Sequence, residues 1–290
     1  MIRIQQLTLT PGHSREDLVR RAAHLLKIRK EQIRSLEIVK QSIDARKKPE
    51  IRLSYVVDLT LQQLDEKKCV ARCKNPRVSI ETKKRYRFPD PGQTPLQDRP
   101  VIIGTGPAGL FCGYLLAQHG YRPILLERGK RVEERTQDVK TFWSGGELNP
   151  ESNVSFGEGG AGTFSDGKLN TLIKDPEGRS RQALSIFTEH GAQPEILYEA
   201  KPHIGTDVLT GVIRRIRQQI EDWGGQVRFG VRADGLLIEE DRIQGVCLSD
   251  GGHLRAQNVV LAIGHSARDT FLWLQRAGVA MEAKSFAVGL

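Results

Sequence analysis

Residues 101–129 read VIIGTGPAGLFCGYLLAQHGYRPILLERG, and this stretch decides the fold class. The short apolar run at residues 101–103 is typical of a buried parallel strand. Three glycines follow it at once: Gly104, Gly106 and Gly109. The first permits a sharp turn, the second lets a phosphate approach the main chain, and the third lets a helix pack closely on the strand. The spacing therefore predicts a strand, a glycine turn and a helix whose N-terminus stabilises a pyrophosphate.

The second predicted strand, PILLE at residues 123–127, ends in a carboxylate. Glu127 follows the glycines by about 20 residues, the spacing at which an acid of a dinucleotide-binding fold accepts hydrogen bonds from ribose hydroxyls. A carboxylate there disfavours a ribose 2′-phosphate, because two negative charges would meet, so FAD or NAD fits better than NADP. A chance cluster of loop glycines is the alternative, and the order of strand, turn, helix, strand and acid argues against it.

The composition is that of an ordinary water-soluble protein. Of 290 residues, 38% are hydrophobic and 27% are charged, which allows two domains and a sizeable core. No apolar run approaches the ~18 residues of a membrane-spanning helix, and the N-terminus lacks the apolar core of a signal peptide. We therefore expect no membrane partner and a cytoplasmic location.

The net charge of +9 is concentrated near the N-terminus. Residues 1–88 hold 22 Lys and Arg against 10 Asp and Glu, a net charge of +12, whereas residues 89–290 carry a net charge of −3. Such a positive field suits nucleic acid or an acidic protein partner. A solvated basic face is the alternative, and it is favoured because no nucleic-acid motif or aromatic stacking platform accompanies the charge.

The four cysteines, Cys69, Cys73, Cys112 and Cys247, are spread along the chain and predict no disulfide framework. Cys69 and Cys73 share one face of a predicted helix, but no further ligands flank them, so we predict no metal site. No Cys-x-x-Cys pair supports a dithiol redox relay.

The chain divides into three predicted parts: a small basic α+β domain at 1–88, a proline-rich linker at 89–100, and an α/β domain at 101–290 that includes part of a second, inserted α+β region. In the first part we predict strands at 1–9, 33–42 and 51–61, a polar turn at 44–50, and helices beginning at Ser14 and Asp65. In the third part we predict helices at 130–140, 175–191, 208–224 and 269–277, strands at 227–229, 233–239, 242–248 and 258–263, and a strand and loop at 194–207.

A second glycine-rich segment, FGEGGAGTFSDGK at residues 156–168, packs five glycines into thirteen residues. A flexible linker would repeat Gly and Ser, whereas this segment mixes apolar, charged and hydroxyl side chains. That chemistry is typical of a backbone wrapped closely against a flat ligand, and it predicts a binding role.

Three side chains are candidates for catalysis: Lys168, His203 and His265. Lys168 closes the second glycine-rich segment, and His265 follows the glycine after the last apolar strand. His203 precedes the sequence Ile-Gly-Thr-Asp, where it is either catalytic or a structural hydrogen-bonding group. No Ser-His-Asp set, metal cluster or P-loop competes with nucleotide binding.

Four stretches together resemble one family. They are GTGPAGL at 104–110, FGEGGAGTFSDGKL at 156–169, AKPHIGTD at 200–207 and VVLAIGHSARD at 259–269. They are similar to the uncharacterised FAD-dependent oxidoreductases once labelled NAD(FAD)-utilising dehydrogenases, whose fold resembles that of glutathione reductase. The resemblance implies a Rossmann-like FAD-binding domain.

The resemblance also implies which residues bind FAD. Expected cofactor-binding residues are Gly104, Gly106, Pro107, Ala108, Gly109, Glu127, Arg128, Gly159, Gly160, Gly162, Thr163, Ala233 and Gly264. Relatives usually carry valine where this chain has Ala233, a departure of little consequence because the expected adenine contact is to main chain. NAD(P)H is a conceivable electron donor, but no second Gly-x-Gly-x-x-Gly predicts a separate site for it.

Family members continue well past the point where this chain stops, so the resemblance implies a fragment whose last residue, Leu290, falls within an expected strand. Two hypotheses follow. The first is an FAD-dependent oxidoreductase acting on a small-molecule substrate that the sequence does not identify. The second is a flavin-binding module with a structural or regulatory role, whose basic N-terminal domain contacts RNA or an acidic protein.

Overall fold

The computed structural model describes residues 1–47, 49–83, 85–164, 167–169 and 175–285. The chain forms two compact units. The first comprises Met1–Arg87 and Lys168–Ile204, and the second comprises Phe88–Gly167 and the residues from Gly205 onward.

The strands are β1 (Ile2–Leu9), β2 (Ile33–Lys47), β3 (Glu50–Leu61), β4 (Val78–Ile80), β5 (Val101–Ile103), β6 (Ile124–Glu127), β7 (Gln226–Phe229), β8 (Ala233–Glu239), β9 (Arg242–Leu248), β10 (His253–Arg255) and β11 (Val259–Leu261). The α-helices are α1 (Arg15–Leu26), α2 (Glu66–Cys73), α3 (Pro107–Gln118), α4 (Val132–Trp143), α5 (Arg179–Glu189), α6 (Thr206–Asp222) and α7 (Arg268–Arg276).

The first unit is built on an antiparallel sheet in the order β2-β3-β1-β4. Helix α1 packs its apolar stripe, including Leu18 and Leu26, into the core formed with the sheet. The predicted helix start at Ser14 is confirmed. The Ser14 hydroxyl accepts a hydrogen bond from the Asp17 amide at 3.1 Å, and the Asp17 carboxylate accepts one from the Ser14 amide at 2.9 Å.

The predicted polar turn at 44–50 is wrong, because β2 continues to Lys47, which pairs with Glu50 at the start of β3. The pairing of β1 with β3 ends at Leu9 and Leu53, so the hairpin extends beyond its neighbouring strand. Its end therefore has no core to cover, and its side chains are exposed, including the apolar Ile43 and Ile51.

Residues 194–207 do not form the predicted strand. They begin with a single 3₁₀ turn at Pro194–Leu197, after which the main chain approaches the outer edge of β2. There the Gln41 amide donates to the Tyr198 carbonyl at 2.6 Å, and the Ala200 amide donates to the Gln41 carbonyl at 2.9 Å. Residues 194–204 pack with the N-terminal sheet in one unit, and Thr206 and Asp207 begin α6 of the second unit.

The second unit contains a parallel sheet in the order β11-β5-β6-β7 and an antiparallel sheet in the order β10-β9-β8. Helix α3 connects β5 to β6 and lies close to the sheet, because a Cβ on Gly113 would lie 2.8 Å from a methyl group of Leu125. On its other side Tyr114 packs edge-on against Trp223, with ring centroids 4.9 Å apart. The predicted α/β class with a Rossmann-like domain is confirmed.

The last parallel strand is shorter and more exposed than predicted. Strand β11 covers Val259–Leu261 instead of 258–263, and Val260 and Leu261 are 36% and 41% exposed. Among the described residues β11 pairs with β5 alone, so it forms an edge of the sheet. In the described part of the chain no helix is long and apolar enough to cross a membrane.

Candidate functional site

The glycine turn after β5 is fixed by two close approaches of main chain. Gly104 has φ +100°, and a Cβ there would overlap the carbonyl oxygen of Ala262. A Cβ on Gly109 would overlap the carbonyl oxygen of Gly104 itself. These two glycines therefore bring the end of β5, the start of α3 and the loop after β11 together, as the spacing predicts.

Gly106 differs from its two neighbours in the motif. It is the N-cap residue of α3 with φ −65° and ψ −178°, a conformation open to any residue. A Cβ there would lie 3.9 Å from the Cα of Gly160, an ordinary van der Waals contact. The protein itself therefore does not require glycine at position 106, whereas a ligand that reaches the helix N-terminus would.

A cavity of about 540 Å³ opens at this helix N-terminus. It lies at the carboxyl ends of three adjacent parallel strands, β11, β5 and β6, the edge at which open α/β sheets bind ligands. Its lining also includes part of the second glycine-rich segment and the residues around Ala233. Such a volume is within the range of about 300–1,000 Å³ that is typical of small-molecule sites.

Glu127 lies at this edge but is turned into the protein. Its side chain is 4% exposed, and both carboxylate oxygens accept hydrogen bonds from protein groups. The Thr105 amide and hydroxyl donate to Oε2 at 2.9 and 2.7 Å, and the amides of Gly129 and Gly157 donate to Oε1 at 2.9 and 3.1 Å. Glu127 thus ties the glycine turn to the second glycine-rich segment, and its contact with a ribose stays a prediction.

Gly129 is a structural element of the site that the sequence analysis did not single out. A Cβ at this position would lie 2.6 Å from the Cα of Gly157 and 2.7 Å from the carbonyl oxygen of Glu151. The absent side chain lets the end of β6 lie directly against the second glycine-rich segment. Gly129 is visible in the sequence as the last residue of the ERG triplet, but the residues around it do not indicate that it contacts Gly157 and Glu151.

Arg135 of α4 holds the second glycine-rich segment and was also missed. Its fully buried guanidinium donates to the carbonyls of Asn153 and Val154 at 2.9 Å, of Glu158 at 2.6 Å and of Gly160 at 2.9 Å. Burial lowers the pKa of Arg135 to about 10, although Glu127 and Glu158 favour the cation. A charged helical pattern gives no sign of which arginine turns inward.

Glu158 belongs to the same buried network. Its Oε2 accepts from the Val132 amide at 2.8 Å, at the start of α4, and from Arg217 Nη1 at 3.0 Å. Arg217 also pairs with Glu133 at 2.9 Å. Burial raises the pKa of Glu158 to about 7 in spite of Arg217. The second glycine-rich segment is therefore held in place by two buried arginines, Arg135 of α4 and Arg217 of α6.

The expected cofactor-binding residues separate into two groups in the structure. Those that line the cavity are Gly104, Gly106, Pro107, Ala108, Glu127, Arg128, Gly160, Ala233 and Gly264. Those outside its lining are Gly109, Gly159, Gly162 and Thr163. Gly159 has φ +86°, and a Cβ there would meet Thr163 and Ile213, so it serves packing, whereas a Cβ on the exposed Gly162 would meet nothing within 4 Å.

The three catalytic candidates are not brought together. His265 lines the cavity, with its Nδ1 3.2 Å from the hydroxyl of Ser266. Lys168 and His203 belong to the first unit, where they are opposite each other in an antiparallel bridge. Within the described ranges, no group of three or more His, Cys, Asp and Glu side chains could hold a metal ion.

Comparison with known proteins supports the fold. Residues 102–141 match the model of the NAD(P)-binding Rossmann-like domain, and residues 1–60 match that of a domain of unknown function, DUF8436. The second unit thus contains a Rossmann-like nucleotide-binding domain, and the first unit begins with a domain to which no role is attached.

Several whole proteins are similar to this chain. An uncharacterised protein of Clostridium beijerinckii is 41% identical over 289 residues, which cover 100% of this chain and 53% of that protein. Protein FixC of Salmonella typhi is 26% identical over 198 residues, 66% of this chain and 41% of FixC. The chain therefore spans about half, or less, of these relatives. The crystal structure of Thermovibrio ammonificans THI4 is 21% identical, covering 63% of this chain and 64% of that chain, with a TM-score of 0.42.

Proposed function

We propose that the chain binds FAD in the cavity at the N-terminus of α3, and that it forms the FAD-binding part of an oxidoreductase acting on a small-molecule substrate. The observation that supports this most is Gly106. Its conformation and surroundings leave room for a side chain, yet glycine stands at the helix N-terminus, where a side chain would exclude a pyrophosphate.

The residues present fit the two ends of the adenosine diphosphate moiety. The first turn of α3 offers main-chain amides and the positive end of the helix dipole, which favour the pyrophosphate. Apolar side chains of the lining, including Val231, Phe271 and Leu274, suit a purine ring. FAD, when bound, would supply hydride or electron transfer, and the chain would supply its position and the polarity around it.

FAD is preferred to NAD because GTGPAGL at 104–110, together with the three other stretches named with it, resembles FAD-dependent oxidoreductases. The family model that matches residues 102–141 is described as a Rossmann-like domain, and this match does not decide between FAD and NAD. The oxidoreductase role is therefore a proposal, and it specifies neither the substrate nor the electron donor.

A titration separates the two dinucleotides. We expect the purified chain to quench the fluorescence of added FAD with saturable binding, and to bind NAD more weakly when NAD competes for the same site. A chain that is folded by circular dichroism but binds neither dinucleotide would contradict the proposal. Saturable binding of NAD with no binding of FAD would keep the nucleotide site and refute the flavin.

A further inference from the structure

Two arginines line the same cavity as Glu127. Arg128 follows Glu127 directly, and Arg232 precedes Ala233. In Rossmann-like sites an arginine beside the ribose accommodates a 2′-phosphate, because its planar guanidinium matches the phosphate oxygens. Taken by themselves, these two arginines would favour a 2′-phosphorylated dinucleotide, against the preference that Glu127 indicates.

The structure shows that both arginines already have carboxylate partners. Glu151 bridges them, with its Oε2 2.8 Å from Arg128 Nε and its Oε1 2.7 Å from Arg232 Nη1. Asp269 pairs with the Nη atoms of Arg128, and Asp234 with Nε and Nη2 of Arg232 at 2.6 and 3.2 Å.

The environment of Arg128 restricts it further. Its guanidinium lies over the ring of Phe156, 4.6 Å from the ring centroid, and its side chain is 12% exposed. One face of the guanidinium is covered, its Nη atoms donate to Asp269, and Glu151 forms an ion pair at Nε, so a phosphate that reaches Arg128 would compete with these carboxylates.

Charge leads to the same conclusion. Two arginine charges face three carboxylates, and Glu127, whose charge the buried Arg135 partly offsets, adds a further carboxylate at the same edge of the sheet. A phosphate group entering this region would meet an excess of negative charge. Free ribose hydroxyls carry no such penalty.

We infer that Glu151 sets the nucleotide specificity of this site by occupying Arg128 and Arg232, so that the cavity takes a dinucleotide with a free adenosine ribose and rejects a 2′-phosphorylated one. Glu151 is outside the cavity lining and acts through the two arginines, which makes it a positioning residue. The inference rests on the proposed nucleotide site and adds a selection between ligands of that site.

The test compares ADP with adenosine 2′,5′-bisphosphate by isothermal titration calorimetry on the full chain. Wild-type protein should bind ADP more tightly. In Glu151→Gln the ratio of the two dissociation constants should shift toward the bisphosphate by about tenfold, as expected when one charge-assisted hydrogen bond becomes available to the phosphate. The preference gained should weaken with added salt, which a merely structural change would not produce.

Glu147→Gln is the matched control, because Glu147 is an exposed residue nearby in the chain and should leave the ratio unchanged. Asp269→Asn, which frees Arg128 from the other side, provides a second variant should Glu151→Gln not fold. If ADP binds but neither variant changes the ratio, or if wild-type protein prefers the bisphosphate, the inference is overturned while the nucleotide site stands. If neither ADP nor FAD binds the folded protein, the proposed function fails first and the inference fails with it.

Discussion

Replacement of Gly106 by valine separates a role in folding from a role in ligand binding. The backbone at position 106 has φ −65° and ψ −178°, and a Cβ would approach only the Cα of Gly160, at 3.9 Å. The substitution should therefore preserve the turn. Gly109→Ala should not, because its Cβ would overlap the carbonyl oxygen of Gly104 within the same turn.

The expected magnitudes differ between stability and affinity. Reduced freedom of the unfolded chain contributes about 0.4–1 kcal/mol in favour of Gly106→Val, and loss of a favourable N-cap residue costs a similar amount, so stability should change by about 1 kcal/mol at most. Exclusion of the pyrophosphate should remove about two charge-assisted hydrogen bonds of about 1.5–3 kcal/mol each, a loss of about a hundredfold or more in FAD affinity.

The assay is a fluorescence titration with FAD on the full chain, accompanied by urea unfolding followed by circular dichroism. Gly92→Val serves as the control, since a Cβ on Gly92 would meet nothing within 4 Å and Gly92 lies outside the cavity. A folded Gly106→Val protein with wild-type FAD affinity would show that the pyrophosphate does not bind at the N-terminus of α3, and the proposed site would then be wrong.

Three further substitutions test the frame around the cavity. Arg135→Met should lower the free energy of unfolding by about 3 kcal/mol or more, because one buried carbonyl and three partly buried carbonyls lose their donor. Urea denaturation measures this, and a loss below about 1 kcal/mol would contradict the role of Arg135 as the anchor of residues 153–160. Glu158 has a folded-state pKa of about 7, above the ordinary 4.5, so its contribution to stability is complete below about pH 4.5 and is lost as the pH rises through 7. This loss amounts to roughly 3 kcal/mol, and Glu158→Gln should remove it. If the free energy of unfolding falls equally between about pH 4.5 and 8 in both proteins, the assignment is refuted. Glu127→Ala should lower thermal stability as well as FAD affinity, since it leaves the amides of Gly129 and Gly157 without an acceptor; a variant that loses affinity at unchanged melting temperature would show that Glu127 serves the ligand alone.

The sequence alone predicted correctly those elements whose signals lie within a short stretch of the chain. The apolar run of β5, the three glycines and the acid at the end of β6 lie within 27 residues, from Val101 to Glu127, and the structure places them as the spacing predicts. The start of α1 was also predicted correctly, because Ser14 and Asp17 form a reciprocal cap within one turn.

Prediction failed where a partner distant in sequence decides the structure. Strand β4 has three residues and exists through pairing with the distant β1, so no periodicity indicates it. Strand β10 pairs with the neighbouring β9 and was missed only because three residues are too few to show a pattern. Arg181 and residues 198–200 contact the N-terminal sheet through the ion pair of Arg181 with Glu37 at 3.0 Å and through the main chain of Gln41, two contacts that span more than a hundred residues. Neither contact can be predicted from the composition of the residues around it.

The same distinction explains how the candidate site is assembled. Arg135 and Glu158 are fully buried and outside the cavity lining. Arg135 donates to main-chain carbonyls of the second glycine-rich segment, and the side chain of Glu158, within that segment, accepts from the Val132 amide of α4. Buried charges of this kind cost desolvation energy, which their hydrogen bonds to the segment offset. A glycine-rich segment has little side-chain packing to define its path, so its order depends on these charges. Of the glycines that mark the candidate site, Gly104, Gly109 and Gly159 are required by close packing and Gly106 is not, while the charged residues that hold the site in place belong to no motif.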